Sequence, residues 1–566
     1  MPYKPENPMV VQSDRTILLE VDNPRYEDAR DRLARFAELE KSPEHMHTYR
    51  ITPLSLWNAA ASGLSASEVL DTLGRFSKYE IPQNIEAEVM EYISRYGKLQ
   101  LCRSGEKLVL SSTDAHIIKE IWHNREVRPY LKELVDGKAI LVEPRCRGYL
   151  KQELIKFGLP VEDLAGYVEG APLTLLIREK TRSGRKFQLR PYQQQAVEVF
   201  HASGGATGGS GVIVLPCGAG KTIVGMAAIE KLQTQTLVLV TNITALRQWE
   251  EELLDKTTLS ADQIGEYSGE KKEVRPVTIA TYNILTYRRS REEDFPHFEL
   301  FNRQNWGLVI YDEVHLLPAP VFRITAEIQA RRRLGLTATL VREDGRETDV
   351  FSLIGPKKYD VPWKILEKQG WIAPAECWEI RVELPPQLRL RYAATNLRKK
   401  FRVASENPAK DELVIRLVHQ HRGAQILVIG QYIAQLENLA RKLNAPIITG
   451  KVGSWERIKL YNMFKRGEIK LLVVSKVANF AVDLPDANVA IQVSGTFGSR
   501  QEEAQRLGRI LRPKTDGSTA RFYSLVTRNT TEQEFAANRQ LFLTEQGYKY
   551  TIQDATVFFS LRSRRR

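Results

Sequence analysis

The chain has 566 residues, 42% of them hydrophobic and 27% charged. That balance is ordinary for a soluble globular protein, and the length suits three to five domains at roughly 100–200 residues each. A net charge of +13 favours an anionic partner such as nucleic acid. The four cysteines, Cys102, Cys146, Cys217 and Cys377, lie far apart without a C-x-x-C, so neither a zinc knuckle nor a disulfide framework is supported. A reducing cytosol fits. No apolar run approaches the length of a membrane span, and the opening MPYKPENPMV lacks the basic and apolar regions of a signal peptide.

In chain order, residues 1–105 read as mixed α and β. VVQSDRTILLEV predicts a hairpin with Ser13-Asp14 at its turn, and NPRYEDARDRLARFAELEK and LSASEVLDTLGRFSKY carry helical periodicity. Residues 106–180 predict a further small α/β unit, with KAILVEPRC and LKQELIKFG as strand and helix signals. From about residue 186 short apolar strands alternate with amphipathic helices: GVIVLP, TLVLVT, VTIAT, LVIYDE, RLGLTAT. That is the rhythm of a parallel sheet with crossover helices. The glycine-rich HASGGATGGSG reads as a flexible loop into the first of these strands. After a basic, irregular stretch at 384–410 the alternation resumes with ILVIGQ, PIITG, KLLVVSK, VAIQVS and ARFYSLV. The expected fold class is therefore α/β, with two similar parallel-sheet lobes behind N-terminal α+β domains.

GVIVLP runs through Cys217-Gly218-Ala219-Gly220-Lys221-Thr222 into the helical IVGMAAIEKL. A glycine loop between strand and helix turns backbone N–H groups toward phosphate oxygens. Lys221 is the expected phosphate clamp and Thr222 a Mg²⁺ ligand. Leu215 stands where the common pattern has glycine, making this the G-x-G-K-T variant. The strand LVIY ends in Asp312-Glu313-Val314-His315, where Asp312 suits Mg²⁺ and Glu313 suits the role of general base. His315, with Thr337 and Thr339 of T-A-T, is expected to couple hydrolysis to nucleic acid. Gln505-Arg506-Leu507-Gly508-Arg509-Ile510-Leu511-Arg512 places Arg509 and Arg512 three apart on one helical face. An arginine reaching the γ-phosphate from the second lobe stabilises transition-state charge. Upstream, Arg190-Pro191-Tyr192-Gln193 offers Gln193 to an adenine edge. Each motif alone has a blander reading: a chance turn, a solvated strand end, a basic helix face. Their order and spacing together argue against it.

The set resembles superfamily 2 helicases, whose lobes are RecA-like. LPCGAGKT, WGLVIYDEVHLLPA, LGLTATLVRED, LIGPK, DLPDANVAIQVS and QEEAQRLGRILR are similar to the XPB (xeroderma pigmentosum group B) family in its compact prokaryotic form. The resemblance is strong over 186–530, and looser in PMVVQSDRTILLEV and KYEIPQNI…YGKLQL. It implies an ATP- and Mg²⁺-dependent 3′-5′ DNA helicase of DNA repair or promoter opening, in the prokaryotic cytosol at the nucleoid. Its implied DNA is single-stranded, forked or duplex, and a nuclease or larger repair or transcription assembly is the implied protein partner. Arg190, Gln193, Lys221, Thr222, Asp312, Glu313, Gln505, Arg509 and Arg512 take the nucleotide roles. Arg342-Glu343-Asp344 matches a duplex-opening motif. Ser475, Lys476 and Asp483 match a motif that touches the DNA backbone and senses nucleotide, although Ala478-Asn479-Phe480 departs from its usual wording.

The resemblance also divides the chain. Residues 1–105 form an N-terminal domain, 106–180 a damage-recognition-like domain, 181–360 lobe one, 361–410 a linker with a thumb-like insertion, 411–545 lobe two and 546–566 a basic tail. In the thumb, Arg389, Arg391, Arg398, Lys399, Lys400 and Arg402 face a lone Glu406, with Tyr392 and Phe401 nearby, a set able to grip phosphates and one base face. The competing expectations are a duplex translocase that does not unwind processively, an RNA-remodelling ATPase and a nucleotide-gated DNA clamp.

Overall fold

The computed structural model describes residues 3–205, 207–288, 290, 295–329, 331–340, 345–475, 487–495, 503, 507–508 and 519–558. Two compact units emerge. One comprises Met1–Glu38, Thr48–Leu215 and Gly220–Val361, the other Leu39–His47, Pro216–Ala219 and Pro362–Arg566.

At the N-terminus, β1 (Met9–Val11), β2 (Thr16–Glu20), β3 (Glu38–Lys41) and β4 (Met46–Arg50) form a sheet of order β1-β2-β4-β3. The expected hairpin is present, with Met9 opposite Leu19. Its turn is held by Asp14, whose carboxylate accepts from Thr16 N–H at 3.0 Å, and by Arg15 at φ 72°. The helix Ala66–Phe76 begins at a capping box in which Ser65 and Glu68 satisfy each other's backbone N–H.

A second sheet contains β5 (Leu99–Ser104), β6 (Lys107–Ser112), β7 (Leu131–Val135), β8 (Ala139–Val142) and β9 (Val161–Asp163), in the order β7-β8-β6-β5-β9. The expected division at 105/106 falls in the turn of the β5–β6 hairpin, so these strands fold as one piece. The helix Arg147–Lys156 ties this sheet to the lobe that follows. Asp163 accepts from Arg147 and Lys151 at 2.7 and 2.8 Å, and Lys151 Nζ reaches Gln329 at 2.6 Å. The backbones there nearly touch: a Cβ at Gly148 would stand 2.3 Å from the Ala326 carbonyl oxygen.

Lobe one is a seven-stranded, all-parallel sheet. Its strands are β10 (Ser210–Val214), β11 (Thr236–Val240), β12 (Ile264–Tyr267), β13 (Val277–Thr281), β14 (Leu308–Asp312), β15 (Arg332–Thr337) and β16 (Lys357–Asp360), in the order β12-β13-β11-β14-β15-β10-β16. Helices cover both faces of such a sheet, so β11 and β13 are buried along their whole length. The N-terminal helix Pro53–Ala61 docks on its edge, Asn58 Oδ1 accepting from Lys357 N–H at 2.9 Å.

Lobe two repeats the design with β17 (Ala375–Val382), β18 (Ile426–Gly430), β19 (Ile447–Ile448), β20 (Leu471–Ser475), β21 (Val489–Gln492), β22 (Ala520–Thr527) and β23 (Tyr550–Asp554). The order is β19-β20-β18-β21-β22-β17-β23, the same permutation, again all parallel. Two expectations change. β17 lies in the stretch read as linker and thumb, yet it pairs with β22 and β23 inside the sheet. β23 lies in the stretch read as tail, yet it supplies the sheet's edge. Among the described residues no helix is long and apolar enough to cross a membrane.

Candidate functional site

Topology builds the site. In lobe one β14, β15 and β10 are neighbours, so their carboxyl ends meet on one edge, where parallel sheets hold ligands. Val214 is level with Thr337, and Asp312 with Leu336. Leu215 N–H still donates to Thr337 O at 2.9 Å; beyond it the chain leaves the sheet and enters the helix Lys221–Leu232. Gly218 and Gly220 both sit at φ +81°, open to glycine at little cost. A Cβ at Gly220 would stand 2.5 Å from Gln193 Nε2, so glycine lets Gln193 close on the loop. Gln193 Oε1 accepts from Arg190 N–H at 2.9 Å, and the Arg190 guanidinium donates to Tyr192 Oη at 3.0 Å. Lys221 and Thr222 occupy the first turn of the helix, partly exposed.

The acidic box faces this loop. Glu313 Oε1 is 3.5 Å from Lys221 Nζ, and Oε2 is 3.4 Å from His315 Nδ1. Glu313 adopts φ 50°, ψ 54°, a left-handed conformation uncommon for a residue with a side chain and typical of functional sites. Asp312 is held from three sides. Trp249 Nε1–H donates to Oδ2 at 2.9 Å, Glu313 N–H to Oδ1 at 3.1 Å, and Tyr282 O–H to its carbonyl at 2.9 Å. Burial, and next the Glu313 charge, push the Asp312 carboxyl up to about 6, against the opposing pull of Trp249 and Lys221. A cation at this carboxylate would relieve that cost.

His315 is buried, its Nδ1 2.6 Å from Thr337 Oγ1. The Thr337 hydroxyl donates to the Thr339 carbonyl, so Nδ1 is the donor to Thr337. Thr339 N–H returns a bond to Thr337 Oγ1 at 3.1 Å. Lys221, Glu313, His315, Thr337 and Thr339 thus form one contact chain from the phosphate loop to the end of β15. Arg342, Glu343 and Asp344, three to five residues farther on, lie outside the described residues, as do Lys476, Asp483, Gln505, Arg506, Arg509 and Arg512.

In lobe two, Ser475 ends β20, buried and level with Gly430. Arg398, Lys399 and Arg402 are exposed on the helix Leu397–Ser405, and Lys400 is half-buried. Arg402 forms a two-pronged pair with Glu406. Phe401 corrects the sequence reading: it is fully buried, edge-on to Phe535 at 5.1 Å, so it presents no face to a base. Tyr392 accepts from Thr531 N–H at 2.8 Å and has Lys400 Nζ 5.6 Å above its ring. The sequence reading also passed over Trp249 and Tyr282, since an aromatic in an amphipathic stretch such as LRQWEEEL looks like ordinary core.

The ERCC3/RAD25/XPB C-terminal helicase model matches residues 366–561. The model for the res subunit of type III restriction enzymes matches 186–342, and one described as helicase conserved C-terminal domain matches 9–136. The DNA 3′-5′ helicase XPB of Kineococcus radiotolerans is 56% identical over 551 residues, 97% of each chain. This chain belongs to the XPB helicase family. The XPB of Mycobacterium tuberculosis is 53% identical over 97% of this chain and 98% of its own. A more distant XPB relative is the XPB/SSL2 subunit of general transcription and DNA repair factor IIH of Saccharomyces cerevisiae. It is 30% identical over 95% of this chain and 71% of its own. As an XPB protein the chain is an ATP-dependent superfamily 2 helicase.

Proposed function

We propose that this chain hydrolyses ATP to move along and open DNA with 3′-5′ polarity, in repair or transcription-linked opening. The observation that carries the chemistry is Lys221 facing Glu313 beside a half-buried Asp312 that Trp249 and Glu313 N–H hold in place. Lys221 and the loop N–H groups would bind the β- and γ-phosphates, Gln193 and Arg190 the base side. Glu313 would take the proton of the attacking water. Asp312 and Thr222 offer the hard oxygen donors Mg²⁺ prefers, one carboxylate completed by phosphates; when bound, the ion would offset phosphate charge. Gln505, Arg509 and Arg512 would complete the site from lobe two, so that hydrolysis requires ordering of both lobes. His315, Thr337 and Thr339 would pass the nucleotide state to Arg342-Glu343-Asp344 at the DNA. Ser475, Lys476 and Asp483, with the Arg398, Lys399, Lys400 and Arg402 face, would hold the backbone.

On the same reading the N-terminal and damage-recognition-like domains lie within 1–180, with the β5–β6 hairpin undivided, and the thumb-like insertion is the stretch between β17 and the helix Ala409–Gln420. A nuclease or a repair or transcription protein would be its partner at the nucleoid. ATPase rates with single-stranded, duplex and forked DNA and with RNA test the reading. Stimulation by DNA, strongest on forks, is expected; stimulation by RNA alone overturns it. Duplex-stimulated turnover without strand displacement would leave a translocase.

A further inference from the structure

Lobe two carries an aromatic that neither the motifs nor the core accounts for. The helix Ser454–Lys465 buries Tyr461 and Phe464, and Arg457 is tied to the Val452 carbonyl at 3.1 Å. A surface helix of this kind ordinarily turns polar residues outward. Here the outward row one turn apart is Trp455, 77% exposed, and Ile458, 59% exposed. Lys459 Nζ lies 5.7 Å from the Trp455 ring centroid.

The helix starts where the chain leaves the carboxyl end of β19. Ile448 is level with Val474, and Gly430 with Ser475. Trp455 therefore belongs to the same strand-end edge as Ser475. The surrounding segment is strongly basic: between residues 449 and 470 stand Lys451, Arg457, Lys459, Lys465, Arg466 and Lys470 against Glu456 and Glu468, and Glu468 is paired with Arg466 at 2.6 Å.

We infer that Trp455 is a stacking platform for an unpaired base of single-stranded DNA, with Lys451 and Lys459 on the adjoining phosphates. Two apolar side chains flanked by lysines make too small a patch for a hydrophobic protein interface. Aromatic faces interleaved with cations are what sequence-tolerant single-strand binding uses. The inference rests on the DNA-motor reading above and adds a base contact to it.

Binding of a fluorescent oligo-dT of about 20 nucleotides, followed by anisotropy across a salt series, tests it. Trp455→Ala is expected to weaken binding about fivefold or more, and Trp455→Phe to retain most of the affinity, as stacking demands. The salt slope of Trp455→Ala should match wild type, whereas Lys451→Ala/Lys459→Ala should flatten it by about 0.7 per lost contact. Wild type should prefer oligo-dT to an abasic strand of equal length, and Trp455→Ala should erase that preference. If wild type binds and Trp455→Ala binds equally well, the platform is refuted and the motor reading stands. If wild type binds no DNA and its ATPase ignores DNA, both fall. If Trp455→Ala keeps oligonucleotide binding but loses self-association in sedimentation, the face is a protein contact and the inference is overturned.

Discussion

The two lobes share one strand permutation and put the same strand ends to opposite uses. In lobe one β10 runs into a glycine loop, and Lys221 at the head of the next helix faces Glu313, just past β14. In lobe two β17 occupies the place of β10, and the helix Ala409–Gln420 carries Lys410 in its first turn. Lys410 Nζ is fully buried and makes three bonds: to both oxygens of Glu532 at 2.7 and 2.8 Å, and to the Val493 carbonyl, just past β21, at 3.0 Å. Thr527, ending β22 as Thr337 ends β15, donates its N–H to Glu532 at 2.9 Å. Burial pushes the Lys410 ammonium's pKa down, with Glu532 opposing. Lobe two thus holds its lysine in direct contact with a buried carboxylate, whereas in lobe one Glu313 stands 3.5 Å from Lys221. On the proposed reading a phosphate would complete the counter-charge of Lys221, which makes that lysine a tool and Lys410 an anchor.

The comparison breaks most sharply at the two lysines. Lys221→Ala should abolish ATP hydrolysis while leaving the fold and basal DNA binding intact, because one charge-stabilising donor alone is worth about 2.7–4 kcal/mol in a transition state. Residual turnover above a tenth of wild type would contradict the assignment. Lys410→Ala should instead destabilise lobe two by about 3–5 kcal/mol, since it strands a buried carboxylate. Urea unfolding should show the loss. A stable Lys410→Ala protein with normal unfolding would mean that the pair is no anchor.

Legibility in the sequence follows the same division. The glycine loop, the acidic box and the strand rhythm are local patterns, and all three stand where spacing put them. What failed to show is long-range. TIQD in β23 looks like a tail until β17 pairs with it 173 residues away in sequence at Trp378–Thr551, a separation well beyond the reach of periodicity. Phe401 sits among cations in sequence but turns inward to Phe535. Trp249 gains its meaning only from Asp312, brought to it by the β11–β14 pairing.

Arg509→Ala sharpens the comparison from the other lobe. It should keep ATP binding and lose turnover by at least about 10²-fold, as expected of an arginine that acts on transition-state charge; collapsed affinity with normal turnover at saturation would make it a ground-state ligand. Smaller again is Trp249→Phe. Its ring packs against Gly225, where a Cβ would meet it at 2.4 Å, and its N–H fixes Asp312. Losing that hydrogen bond to a charged group, worth about 1.5–3 kcal/mol, should cut kcat roughly tenfold and raise the Mg²⁺ concentration for half-maximal rate. ADP affinity in EDTA should stay unchanged. An unaltered Mg²⁺ requirement would reduce Trp249 to packing.

The most direct test of the whole account is strand separation on forked duplexes bearing a single 3′ or 5′ tail, with ATP and Mg²⁺. Wild type should open the 3′-tailed fork and leave the 5′-tailed one closed. Replacing Arg342, Glu343 and Asp344 together by alanine should cost most of that opening while DNA-stimulated ATPase stays within a few-fold of normal. Equal opening of both forks, or opening of neither despite brisk DNA-stimulated hydrolysis, would contradict a 3′-5′ helicase.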